Sequence, residues 1–289
     1  MRFVRPLCFL ILIFAAAEFA TPVLAWGQKG HDLVTSGAIK LLPEAIRPFY
    51  KKNSRFIISL DVLPDTWKDT HKDEEGAHHF IDLEFYSAAP GFSDIPRSFR
   101  QAEKRYGRQS MLKWGVLPWA VMERCNRLSA AFRKKDLVDI VVQSSLLSHY
   151  CADMHVPFHV TRDYDGRKPE QKGLHHRFEI DLVERFVRPK DVSPRGPAAV
   201  SDPWRAILSW MNESHSALDA LNEADEKARI SAGAYNEVYF DRFAKAAQPI
   251  AAQQLSLGAS RLAGLYIWAW TKAGKPPLPS RSAPLFWGR

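Results

Sequence analysis

"DLVDIVVQSSLLSHYCADMHVPFH", residues 136–159, is the stretch that decides the fold. Through residue 155 its apolar side chains recur three and four apart, which is the period of a helix. His149 and Asp153 are four apart within it, so a helix projects an imidazole and a carboxylate from one face. Pro157 then bends the chain and turns His159 back toward the same centre. A helix built this way combines an apolar body with a polar end suited to sharing a metal.

The same period continues outward on both sides. Residues 31–42, 117–135, 174–186, 202–222 and 249–274 all space their apolar residues three and four apart. "SDPW" (201–204) adds a helix start, with Ser or Asp as cap and Pro in the first turn. Only "RFIISLDVL" (55–63) alternates in a way that tempts a strand assignment. No internal repeat, long linker or low-complexity block divides the chain, so the expectation is one all-α, multi-helix domain over residues 26–274. The last helical run is interrupted by Gln253, Gln254, Ser256, Ser260 and Arg261, which marks a buried core helix rather than a membrane span. Residues 275–289, "KPPLPSRSAPLFWGR", form a Pro-rich tail expected to pack back on the domain or stay unstructured, with a transient membrane-surface contact through "LFWGR" as the alternative.

At the other end, Arg2 and Arg5 precede the apolar run "LCFLILIFAAA" and a small-residue "VLA". This is the pattern of a secretory signal over residues 1–25, cut between Ala25 and Trp26. The apolar run falls short of the roughly 20 residues a bilayer span needs. A secreted or periplasmic protein beginning at Trp26 is expected. In such a compartment Cys125 and Cys151 could pair or remain two buried thiols, and the sequence leaves both open. The formal charge of +8, about +7 without the leader, draws polyanions but does not separate nucleic acid from an anionic lipid surface.

The ten histidines are not scattered. His175 and Glu179 in "GLHHRFE" (173–179) repeat the i, i+4 geometry, and "LPDTWKDTHKDEEGAHHFIDLE" (63–84) supplies Asp65 and His79. Imidazole and carboxylate together make the donor set zinc takes, and catalytic zinc keeps a position open for water. A free terminal amine and the carbonyl of the same residue can also chelate a metal. Trp26 would offer both after signal cleavage, with His31 one helical turn onward.

In combination these motifs resemble the superfamily of zinc-dependent phospholipase C and the S1/P1 nucleases, all-α secreted enzymes with three zinc ions. The matching motifs run from Trp26 to Glu179. The resemblance implies one zinc held by Asp65, His79, His149 and Asp153, and a second by His159, His175 and Glu179. A third would lie on the Trp26 amine and carbonyl, His31 and the bridging Asp153. His155 falls in the family's His–x–Pro–x–His stretch as a supporting hydrogen-bonding group. His78 and His176 are expected to point away, while His71 and His215 read as surface residues.

Hydrolysis of a phosphate ester is the activity this implies, because zinc brings bound water toward neutral pKa and offsets charge on phosphoryl oxygens. Asp65 is assigned two roles, ligand and acceptor orienting the attacking water, and Lys68, one turn on, neutralises the substrate phosphate. Substrate features divide. The short Trp26 to His31 spacing, Lys68, and "HFID" (79–82), with Phe80 to stack on a base and Asp82 to bond its edge, resemble the nucleases. Glu179, where nucleases typically have aspartate, resembles the phospholipases. So do the Asp65 to His79 gap, the short His159 to His175 loop, and the tracts 106–125 and 161–173. Thr66 and Gly76 stand where a choline site would carry aromatics, so phosphatidylcholine specificity is not implied. The expectation leans to phospholipase C, acting on phospholipid, over a nuclease/3'-nucleotidase acting on single-stranded nucleic acid. An inactive zinc-stabilised binding protein is the third possibility, and no obligate protein partner is evident.

Overall fold

The computed structural model describes residues 26–68 and 72–283. Residues 1–25, where a signal and its cleavage point are expected, His71 and the terminal residues 284–289 lie outside the described residues. Every regular element among the described residues is helical. The principal helices are α1 (Gln28–Leu41), α2 (Arg47–Leu60), α3 (Leu117–Lys134), α4 (Leu137–Asp153), α5 (Pro203–His215), α6 (Leu218–Ala232) and α7 (Glu237–Lys272).

Helix α4 is the axle of the fold. It is buried on nearly all sides from Ile140 to Asp153, as a helix apolar all round must be. Helices α1, α2, α3 and α7 surround it. Asp136 starts it by accepting a hydrogen bond from the Asp139 amide at 3.0 Å, right after Lys135 ends α3 in the left-handed conformation. Helices α1 and α7 come close because Gly37 faces Ala259. A Cβ at Gly37 would lie 2.8 Å from the Ala259 methyl, so an alanine there would push the two helices apart.

Three sequence expectations change. The tempting strand at 55–63 is largely the second half of α2. Asn53, Ile57 and Leu60 face inward at i, i+4 and i+7, and half-buried Phe56 and Ile58 mimic an alternation. The run 202–222 breaks at Ser216 and Ala217 into α5 and α6, although Asp202 caps its start as expected, accepting from Trp204 N at 3.0 Å. Helix α7 begins at Glu237, well before Pro249, which sits inside it. Asn236 provides the cap by accepting from Tyr239 N at 3.1 Å, and proline within the helix removes one donor without ending it.

The described part of the tail packs back on the domain: Ala283 N donates to Asn53 Oδ1 at 2.7 Å and Trp270 Nε1 to Pro276 O at 2.9 Å. Cys125 and Cys151 are two buried free thiols on α3 and α4. No helix among the described residues is long and apolar enough to cross a membrane.

Candidate metal centre

The C-terminal end of α4 delivers Asp153 to a point where four histidines from separate elements meet. Asp153 Oδ2 is 3.0 Å from His79 Nδ1 and 3.4 Å from His149 Nε2. Its other oxygen, Oδ1, is 3.8 Å from both His31 Nε2, on α1, and His159 Nδ1, in the 3₁₀ turn Pro157–His159. Asp65, in the short helix Leu63–Trp67, lies 3.6 Å from His79 Nδ1 and 3.8 Å from His149 Nε2. Two ligand groups result, Asp65–His79–His149 and His31–His149–Asp153, each with its donor atoms within 4.8 Å of one another.

A third group, His159–His175–Glu179, meets the same criterion. Glu179 Oε2 is 2.5 Å from His175 Nε2 and 3.6 Å from His159 Nε2. Glu179 lies in a π-helical turn, Arg177–Leu182, a widened geometry that recurs at functional sites. Seven residues expected as side-chain ligands from sequence, besides His31, are therefore brought together: Asp65, His79, His149, Asp153, His159, His175 and Glu179.

These residues fit a bound cation. Asp65 Oδ2, Asp153 Oδ1 and Glu179 Oε1 are buried with no hydrogen-bond partner. Leaving such atoms unsatisfied is expensive, about 1–3 kcal/mol each and more when charged. Imidazole and carboxylate donors with open valences are the set a borderline divalent metal satisfies. The electrostatics agree. Burial pushes the Asp153 carboxyl up to about 7, against the opposing pull of its His79 hydrogen bond, so the site is short of positive charge. Burial, then neighbouring His31 and His79, holds His149 well below its usual range, in the neutral form that ligates. For Glu179 burial works upward, but His175 and His159 reverse it and leave the carboxyl at about 2.

A cleft of about 860 Å³ opens onto the groups, with Lys68, His79, Phe80, Asp82, His159 and His175 in its wall. Lys68 Nζ is 2.7 Å from Asp65 Oδ1, so in this structure it pairs with the candidate ligand. Burial, then Glu84 and Asp163, pushes Asp82 up to about 7. Trp26 is fully buried beside this region. Its Nε1 donates to Ala152 O at 2.9 Å, next to Asp153 in the chain, and its ring meets Phe178 at 5.6 Å.

The remaining described histidines, His71 not being among them, sort as expected with one exception. His155 Nδ1 is 2.7 Å from Cys151 O, and its Nε2 accepts from Arg261 Nη1 at 3.0 Å, a fully satisfied buried ring. His78 meets Glu75 Oε2 at 3.3 Å, and half-exposed His176 reaches only Asp181, at 3.9 Å. His215 is not the solvated residue expected from sequence. It is three-quarters buried and bonds Glu84 Oε1 at 2.7 Å, while Glu84 also accepts from Thr161 Oγ1 at 2.7 Å and Arg162 N at 3.0 Å. The two partners are 131 positions apart, so nothing local announces the pair.

Sequence reasoning also missed Gln109, Lys113 and Tyr164 in the cleft wall and the buried pair Arg177–Asp225. Glu75, four residues before His79, carried the same i, i+4 signal as the recognised pairs and was overlooked. No protein-family model matches this chain, and a search of curated proteins finds no match.

Proposed function

We propose that this chain is a secreted zinc-dependent hydrolase of phosphate esters, of the phospholipase C type in fold and activity. The convergence of three buried His/carboxylate groups around Asp153, beneath an open cleft, carries the proposal. Asp65, His79, His149 and Asp153 would hold one zinc, and His159, His175 and Glu179 a second. A third would sit on His31, Asp153 and the amine and carbonyl of Trp26, provided the leader is cut at Ala25. Bound zinc supplies an activated water and a counter-charge for phosphoryl oxygens.

The protein's own groups do the positioning. Asp65 keeps one oxygen, Oδ2, without a protein partner and is suited to accept a proton from a water held at the ligand group. Lys68, now on Asp65 Oδ1, stands at the cleft wall, where a phosphate can draw its ammonium. Phe158 and Leu112 add apolar wall, which suits an ester carrying a hydrocarbon body.

A single-strand nuclease is the second reading. Phe80 and Asp82 both line the cleft, where an aromatic face and a carboxylate could take a base.

Zinc-loaded mature protein assayed on phospholipid vesicles and on single-stranded nucleic acid, each with and without chelator, separates the two. Chelator-sensitive release of a phosphorylated head group is the expected result, and cutting of the strand with lipid untouched would replace it by the nuclease. Zinc retained with neither substrate turned over would leave a binding protein. One extra alanine before Trp26 should remove a single zinc, read by metal analysis.

A further inference from the structure

His79 presents its two ring nitrogens to different neighbourhoods. Nδ1 faces the candidate ligand group, 3.0 Å from Asp153 Oδ2, 3.0 Å from His149 Nε2 and 3.6 Å from Asp65 Oδ1. Nε2, on the other side of the ring, is 3.4 Å from Glu75 Oε1, close enough for an ion pair though not aligned as a hydrogen bond. Glu75 is itself held. The phenol of Tyr150 donates to Glu75 Oε1 at 2.6 Å, and His78 Nδ1 stands 3.3 Å from Oε2. Tyr150 is fully buried and follows His149 directly in α4, so the helix that carries two candidate ligands also sets the position of Glu75.

An imidazole that gives Nδ1 to a metal must carry its proton on Nε2. A carboxylate beyond Nε2 stabilises that tautomer, fixes the ring's orientation and raises the basicity of the ligating nitrogen. Glu75 stands on the far side of the ring from the ligand group. It therefore acts on a metal through His79 rather than beside it.

We propose that Glu75, fixed by Tyr150, is a positioning residue that selects the Nε2–H tautomer of His79 and thereby sets the metal affinity of the Asp65–His79–His149 group. The proposal rests on the metal-hydrolase function above.

The test is a zinc titration against a chromophoric competing chelator, with total zinc content, on wild type, Glu75→Ala, Glu75→Gln and Tyr150→Phe. Nitrogen NMR of the His79 ring reports the tautomer, and melting in excess chelator checks the fold. Glu75→Ala is expected to weaken one zinc equivalent by about 10- to 100-fold and leave the others unchanged. Glu75→Gln should recover most of the loss, since an amide oxygen still accepts from Nε2–H, and Tyr150→Phe should show a smaller loss than Glu75→Ala.

Wild-type affinity in Glu75→Ala would overturn the proposal. Uniform weakening of every equivalent with a lower chelated melting temperature would make Glu75 merely structural and overturn it as well. Glu75→Gln as weak as Glu75→Ala, or a wild-type His79 protonated on Nδ1 in the zinc-loaded protein, would refute the tautomer role. A wild type that takes up no zinc would instead sink the function on which the proposal stands.

Discussion

Asp225 and Asp153 are both fully buried, yet their surroundings differ in kind. Asp225, on α6, is complete: Oδ1 accepts from Arg177 Nη2 at 3.0 Å and the Tyr239 hydroxyl at 2.6 Å, and Oδ2 from Gln171 Nε2 at 3.1 Å. Asp153 meets only imidazoles, and its Oδ1 has no hydrogen-bond partner. A buried carboxylate with its own cation and donors is scaffold, whereas one met by imidazoles, with an oxygen left unbonded, is open to a cation brought from outside. The scaffold also serves the site. Arg177 lies between His175 and Glu179 in the chain, and its guanidinium donates to Lys172 O at 2.9 Å and Gln171 O at 3.0 Å, pinning the preceding loop.

The largest effect should come from Asp153→Asn. If the contrast is real, this substitution abolishes zinc uptake at the groups sharing Asp153 and drops turnover to the level of chelator-treated wild type. Its melting temperature in chelator should equal or exceed that of chelated wild type, because an uncompensated buried acid is gone. A large loss of stability in chelator would show that Asp153 is scaffold after all.

Asp225→Asn should behave in the opposite way. Removing one partner of a buried pair costs about 3–5 kcal/mol, and here the loss should be the same with and without zinc, read by denaturant unfolding in both conditions. A penalty confined to the zinc-loaded protein would dissolve the distinction between the two acids.

Phe80, on the cleft wall, tests what the site faces. Stacking on a base is worth about 1–3 kcal/mol, so Phe80→Ala should raise KM on a single strand by roughly 5- to 150-fold if the nuclease reading holds. On a lipid substrate a small change is expected.

Asp82 is a half-buried acid intermediate between the two. Its carboxyl is pushed up to about 7 by burial, with Glu84 and Asp163 adding to the shift. It is therefore neutral below that pH and anionic above. With a folded value raised above the unfolded one of about 3.9, its contribution to stability is full below the unfolded value and is lost as pH rises through 7. The anionic form also repels a phosphate ester, so KM should rise several-fold between about pH 6 and about pH 8. Asp82→Asn should flatten that rise, and an unchanged profile would place the titration elsewhere.

Where the sequence was legible, the relationship was local. His149 with Asp153 and His175 with Glu179 could be read because four residues make one helical turn. The same rule links Glu75 and His79, four apart, and finds the far-side carboxylate. Residues 55–63 misled for a related reason: half-buried positions on a helix can imitate alternation over a few residues. Arg177–Asp225 and Glu84–His215 are 48 and 131 positions apart, and no periodicity links them.

By itself the sequence determined an all-helical chain and a specific set of imidazoles and carboxylates, because both follow from short-range spacing and side-chain chemistry. Only the tertiary structure decided how the two oxygens of Asp153, already expected to bridge, divide between different histidines, and that His79 turns one nitrogen to the ligand group and the other to Glu75. Those facts depend on how α1, α4 and the 157–159 turn pack against one another, and packing joins residues that the chain keeps far apart.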